Sequence, residues 1–193
     1  MPESHRFKAI VIGISAGGVD TLKELLGALP KDFSLPILIA QHIGPDSGSG
    51  MANLLDDVCN IHVTEADEQE LPAGGTVYLA PANYHLLVEP DGRLGLSTDP
   101  PVNFARPSID VLFETAAEAY RKGLVGVVLT GSGSDGSHGL KRIKELGGVT
   151  VVQDPDDAAA SSMPQNAIMA VKPDYVVNLA SLPQLFINFN KSE

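Results

Sequence analysis

The feature that most constrains this chain is an alternation. Short, almost unbroken runs of Val, Ile and Leu are followed by segments of helical spacing: KAIVIGI then VDTLKELLGAL, LPILIA then SGMANLLDDV, VGVVLT then SHGLKRIKELG, and VTVVQ then a segment from about SSMPQNAIMAV. A strand apolar on both faces has to be covered on both faces, and parallel neighbours need a crossover between them. The pattern predicts an α/β fold, a doubly wound and mostly parallel sheet of Rossmann-like three-layer type. The helix from about Val19 puts Leu22, Leu25, Leu26 and Leu29 on one stripe and is expected to end at Pro30. Another helix is expected over 108–121 with Ser108 as its N-cap. Residues 76–97 break the rhythm: TVYLAP and YHLLVEPDGRLGL, with a Pro-Asp-Gly turn, predict a β-hairpin insertion or an antiparallel edge. The stretch TDPPVNFARP at 98–107 is proline-rich and irregular, a long loop of the kind that carries function or simply connects.

Composition then narrows the function classes. With 193 residues, 44% of them hydrophobic, the chain is expected to form one domain with a sizeable core. Its apolar runs have strand length, too short to cross a bilayer, and no secretory signal is evident. One cysteine, Cys59, leaves no disulfide framework and suits a reducing compartment, so a cytoplasmic location is expected. The net charge is −11, from 13 Lys+Arg against 24 Asp+Glu, which argues against nucleic acid and against membrane insertion. The basic run KRIK at 141–144 reads as a solvated helix face. No HxxxH or HExxH spacing occurs, the pair Asp135 and His138 stands alone, and Cys59 reads as a packed thiol; no metal or cofactor is expected.

The run IVIGISAGG at 10–18 can be read in two ways. A dinucleotide cradle wants G-x-G-x-x-G, but Ser15 stands at the second glycine, and the second strand ends in Ala40-Gln41-His42 without an acidic residue for ribose. A nucleophile turn, G-x-S-x-G, is matched by Gly13, Ser15 and Gly17. Small neighbours let a serine sit on a sharp strand-to-helix turn, where the helix N-terminus favours an oxyanion. A nucleophilic serine also needs a base and a group that orients the base. Parallel strands deliver Ser15, then Gln41-His42, then Thr130 to Gly136 with Asp135 to one rim of the sheet. Among the other histidines, His5 lies near the N-terminus, His62 reads as a half-buried strand residue, and His85 as either packing or substrate-side. His138 lies three residues past Asp135 and is the main rival base. His42 is preferred because it directly follows a central-type strand; sequence alone leaves His138 open.

Taken together, GISAGG, QH at 41–42, YLAPANYH at 78–85, RPSIDVLF at 106–113, LTGSGSDG at 129–136 and QDPDDAAASSMPQNAI at 153–168 resemble the catalytic domain of the chemotaxis protein-glutamate methylesterases (CheB). The resemblance runs over about residues 8–180 and implies a single catalytic domain across 1–193, without the receiver domain that precedes it in most of the family. It implies hydrolysis of glutamate γ-methyl esters on the cytoplasmic helices of methyl-accepting chemotaxis receptors, and deamidation of receptor glutamines. A receiver domain or a methyltransferase acting in trans is a further partner it admits; a non-catalytic nucleotide-binding or scaffold module is the alternative reading. Matched by motif, Ser15 is the nucleophile, His42 the base and Asp135 the orienting carboxylate, in an order unlike the Ser, Asp, His of α/β-hydrolases. Oxyanion donors are expected from the N–H of Ala16 and from the turn at 131–133, where Ser132 replaces the methionine common in the family. Arg106 is a candidate on the substrate side; alternatively it pairs with a carboxylate to hold its loop.

Overall fold

The computed structural model describes residues 6–44 and 50–192. Seven strands form one fully parallel sheet: β1 (Ala9–Ile14), β2 (Ile37–Gln41), β3 (His62–Glu65), β4 (Thr76–Leu79), β7 (Leu124–Val128), β8 (Val149–Gln153) and β9 (Tyr175–Val177). Their spatial order is β3-β4-β2-β1-β7-β8-β9. β5 (His85–Val88) and β6 (Leu94–Ser97) form a separate antiparallel pair. The helices are α1 (Gly18–Gly27), α2 (Gly50–Asp56), α3 (Ile109–Tyr120), α4 (Ser137–Glu145), α5 (Ser162–Val171) and α6 (Leu182–Asn190).

Strand alternation splits the core in two. Ile10, Ile12 and Ile14 of β1, with Val125 and Val127 of β7, face a layer containing Leu22, Leu25 and Leu26 of α1, Leu55 of α2 and Phe186 of α6. Ala9, Val11, Leu124 and Val128 face the opposite layer, with Leu112 and Phe113 of α3, Leu140 and Ile143 of α4 and Met163 of α5. Period-two strands between two helical layers are apolar on every residue, which is the pattern visible in the sequence. Each fully buried Leu or Ile in these layers contributes roughly 1.5–3 kcal/mol, enough in sum to hold the sheet rigid under the site.

The α/β reading matches this architecture, with local differences. The stripe of Leu22, Leu25, Leu26 and Leu29 is wholly buried, but α1 closes at Gly27, short of Pro30, because the residue before a proline is driven out of the helical region. Of the segment expected to supply the hairpin, Thr76–Leu79 is instead a parallel strand, hydrogen-bonded between β2 and β3. Only β5 and β6, across the Pro-Asp-Gly turn, are antiparallel, and they pack on α3 rather than on the sheet edge; Val88 N–H donates to Thr115 Oγ1 at 3.1 Å and Tyr120 Oη to the Gly92 carbonyl at 3.3 Å. Burial pushes the Tyr120 phenol up to about 12, so that hydroxyl stays a donor.

The topology also sets the site. From central β1 the chain winds one way to β2 and later returns to place β7 on the other side. Clefts in doubly wound sheets open at this reversal, beyond the C-terminal ends of the strands.

Candidate active site

Ser15 stands one residue past β1, on the turn into α1, and is half-buried. Close packing shapes the turn. A Cβ on Gly18 would lie 2.0 Å from Gln41 Oε1, and one on Gly131 would lie 2.8 Å from Ser15 Cβ and 2.6 Å from Met163 Cε. A side chain at either position would push Gln41, or Met163 and Ser15, out of place. Gln41, the last residue of β2, donates from Nε2 to the carbonyls of Ser15 and His42, each at 3.0 Å, tying the first two loops together. Ser15 N–H donates to the Thr130 carbonyl, and Thr130 Oγ1 donates to the Ala16 carbonyl, both at 2.9 Å, tying the first loop to the third.

On this frame three side chains meet. His42 Nδ1 lies 3.1 Å from Ser15 Oγ, and His42 Nε2 lies 2.7 Å from Asp135 Oδ2. A carboxylate only accepts, so Nε2 carries the proton and Nδ1 is free to accept from the serine hydroxyl. The ring is used the opposite way round from the familiar triad, in which Nε2 faces the serine.

Asp135 is 3% exposed and accepts five donors. Besides His42 these are Ile109 N–H at 2.7 Å, Asn103 Nδ2 at 2.8 Å, and Ser108 Oγ and Asp110 N–H at 3.0 Å each. Burial alone would raise its pKa; the bonds from His42, Ile109, Asn103 and Asp110 outweigh burial and hold the carboxyl below its ordinary value. It is thus an anion at neutral pH.

The same contacts correct the expected cap of α3. Ser108 occupies the N-cap position but its side chain caps nothing; its hydroxyl goes to Asp135, whose carboxylate takes the free N–H groups of Ile109 and Asp110. A full negative charge at a helix N-terminus outbids a neutral hydroxyl. The arrangement is reciprocal: Asp110, in the first turn of α3, accepts from Gly136 and Gly139 N–H at 3.0 and 2.7 Å, at the start of α4. Burial drives the Asp110 carboxyl above its ordinary value, against the pull of Gly139 and Asn103, and the charge of Asp135 adds to the rise. Asn103 Nδ2 bridges the pair, reaching Asp110 Oδ2 at 2.7 Å.

The other candidates fall into place around this centre. Among the described residues no group accepts from the N–H of Ala16 or of Ser132, whereas the N–H groups of Gly131 and Gly133 are used by the Ala160 carbonyl and Ser162 Oγ. A cleft of about 700 Å³ opens beside the triad, lined by His42, Asp135, Ser132, Asn103, Phe104 and Arg106 among others. Arg106 donates to Asn83 Oδ1 and to the Thr98 and Asp99 carbonyls. It holds its loop, but through neutral oxygens rather than the carboxylate that one reading expected, so its charge stays at the cleft uncompensated by any of them.

His138 is not brought to the centre: it is 82% exposed and pairs with Glu114 on the outer face of α3 and α4. His85 is buried as a packing residue, Nδ1 accepting from Ser108 N–H and Nε2 donating to the Pro100 carbonyl. His62, expected half-buried, is 61% exposed and pairs with Asp56, because β3 is an edge strand. His5 lies outside the described residues. Cys59 packs against the core, and burial raises its thiol pKa, with the charge of Asp56 adding. Lys144 and Arg142 of the basic run pair with Asp174 and Glu118, as a solvated face would. Sequence reasoning passed over Gln41 as a tie, and Asn103 and Asp110 altogether; Gln41 and Asp110 lie inside motif blocks it quoted and Asn103 in the proline-rich loop, but the partner of each is distant in sequence.

Comparison with known proteins converges on one family. Residues 10–186 match the family model described as CheB methylesterase. A chain of Leptospira interrogans serovar copenhageni, provisionally named a protein-glutamate methylesterase/protein-glutamine glutaminase, is 50% identical over 186 residues, 96% of each chain. The protein-glutamate methylesterase FrzG of Myxococcus xanthus is 39% identical over 163 residues, 84% of this chain and 49% of that one. The crystal structure of the Thermotoga maritima CheB methylesterase catalytic domain superposes with a TM-score of 0.90 at 33% identity, covering 94% of this chain and 98% of that one.

Proposed function

The chain belongs to the CheB methylesterase family, and from that premise we propose that it is a protein-glutamate methylesterase and protein-glutamine glutaminase whose nucleophile is Ser15, acting on the cytoplasmic helices of chemotaxis receptors. The observation that carries the reading is the unbroken line of contacts from Ser15 Oγ through the imidazole to Asp135, 3.1 and then 2.7 Å long.

Each step uses an atom already positioned. Ser15 Oγ attacks the γ-carbonyl carbon of the methyl ester while its proton moves to His42 Nδ1. The carbonyl oxygen becomes an oxyanion beside the N–H groups of Ala16 and Ser132, neither of which any described protein group engages. The imidazolium is stabilised through Nε2–H by Asp135, whose depressed pKa keeps it ionised. The Nδ1 proton then passes to the departing methoxy oxygen, releasing methanol. Water repeats the sequence on the acyl-serine to leave a glutamate. With a γ-amide in place of the ester, ammonia leaves instead and the product is the same.

A protein of net charge −11 facing a glutamate-rich helix is a poor electrostatic match. Arg106, whose hydrogen bonds among the described residues go to neutral oxygens, puts positive charge at the cleft on the substrate side. We read residues 1–193 as one catalytic unit working in the cytoplasm, with a receiver domain or methyltransferase as partner in trans; among the described residues no helix is long and apolar enough to cross a membrane. The test is methanol release from a methylated receptor fragment. Ser15→Ala should lower it by at least about 10³-fold with the fold intact; near-full activity would overturn the assignment.

A further inference from the structure

The loop between β6 and α3 contains a tight turn that is chemically unusual. Val102 and Ala105 exchange two backbone hydrogen bonds, 3.1 and 3.0 Å, around Asn103 and Phe104. Both central residues have positive φ, 52° for Asn103 and 62° for Phe104, the pattern of a type I′ turn. Asn suits the first of these positions, but the second strongly favours glycine, and a bulky side chain there is strained. The same Phe104 is 105% exposed, so no packing among the described residues offsets that strain.

The turn cannot relax freely. Asn103 is bonded to Asp110 and Asp135, and Arg106, just beyond the turn, is bonded to Asn83 and to the Thr98 and Asp99 carbonyls. One central residue is locked to the triad aspartate while its neighbour is held out over the cleft that His42 lines. An aromatic ring that is strained, exposed and clamped in place at a catalytic cleft is positioned for something outside the chain.

We infer that Phe104 is a specificity-determining contact that docks against an apolar side chain of the receptor helix, one turn from the glutamate whose ester reaches Ser15. The inference rests on the proposed esterase reading and says how that site holds its substrate. On a helix, residues three or four apart share a face, so a side chain next to the modified glutamate arrives with it at the lip of the cleft. Val102 of the same turn and Tyr84, next to cleft-lining Asn83, are 39% and 40% exposed and widen the apolar lip. Apolar contact also supplies affinity that the charge of the two partners does not.

The experiment compares wild type with Phe104→Gly and Phe104→Ala on two substrates, a methylated receptor fragment and p-nitrophenyl acetate, which has an ester but no flanking chain. The ratio of kcat/KM on receptor to kcat/KM on p-nitrophenyl acetate should fall at least tenfold in both variants, mostly through KM on the receptor. The melting temperature of Phe104→Gly should rise, since glycine relieves the turn; a residue kept for structure would lower it. An unchanged ratio in the two variants overturns the inference while leaving the esterase reading standing. A wild-type enzyme that hydrolyses p-nitrophenyl acetate but releases no methanol from the receptor overturns the substrate reading, and the inference with it.

Discussion

Two histidine–carboxylate pairs in this protein have almost the same length and opposite surroundings. His42 and Asp135 are 2.7 Å apart with side chains 20% and 3% exposed; His138 and Glu114 are 2.9 Å apart with side chains 82% and 45% exposed. Contact distance does not separate them. What does is connection. Asp135 takes four donors besides the imidazole, and His42 has a hydroxyl at its other nitrogen, whereas the side chains of His138 and Glu114 have, among the described residues, only each other. In low dielectric a fixed anion keeps its orientation and its pull on the imidazole; at the surface the same pull is screened and the geometry is one of many.

The comparison breaks most severely if the buried pair proves dispensable. His42→Ala should reduce kcat for ester hydrolysis on the order of 10⁴–10⁶-fold, read as methanol release at saturating substrate; a loss no larger than that of His138→Ala would erase the distinction. Asp135→Asn should cost about 10⁴-fold in kcat. Because the same carboxylate caps α3, it should also cost roughly 0.5–2 kcal/mol of stability in denaturant melts, an effect an orienting residue without a capping role would not have.

Asp110 sharpens the comparison through pH. Its folded pKa lies above its ordinary value, so its ionisation weakens the fold as pH rises from the unfolded carboxylate value, about 3.9, through the folded one. Asp135 has the opposite sign: its depressed pKa gives stability that is present above about 3.9 and lost only as pH falls through the folded value. The stability of Asp110→Asn relative to wild type should therefore be more favourable at pH 7 than near pH 4, measured by urea unfolding at both. A difference independent of pH would mean that burial does not raise Asp110. The smallest effect belongs to the exposed pair. The hydrogen bond that His138 donates to Glu114 raises the His138 pKa, so any contribution is present below about 6.5 and fades as pH rises through the folded value. His138→Ala should change stability by less than about 0.5 kcal/mol and leave methanol release as it was.

Much of this was legible residue by residue. The buried stripe of α1, the strands β1, β2, β7 and β8, and the rim positions of Ser15, His42 and Asp135 follow from periodicity and from where apolar runs stop; in sequence β4 reads as part of the hairpin and β9 goes unread. The sequence prefers His42 but leaves His138 open, because both stand near a carboxylate in sequence or in topology; burial and the hydroxyl at the second ring nitrogen tell them apart. Ser108 stands at the N-cap position of α3 as expected, but its hydroxyl makes no capping bond for a related reason: the charge that takes the free N–H groups comes from Asp135, 27 residues away.

What the sequence determined by itself is therefore what acts over a few residues: strand and helix periods, the glycine turn at the nucleophile, and the rim to which the functional loops return. The tertiary structure decided the rest. It chose the imidazole, joining His42 to Asp135 across 93 residues, exchanged the caps of α3 and α4, set β5 and β6 on α3, and displayed Phe104. The physical reason is range: backbone preference and amphipathic spacing are written in neighbouring residues, whereas desolvation and hydrogen-bond competition depend on which distant groups the packed chain brings within about 3 Å.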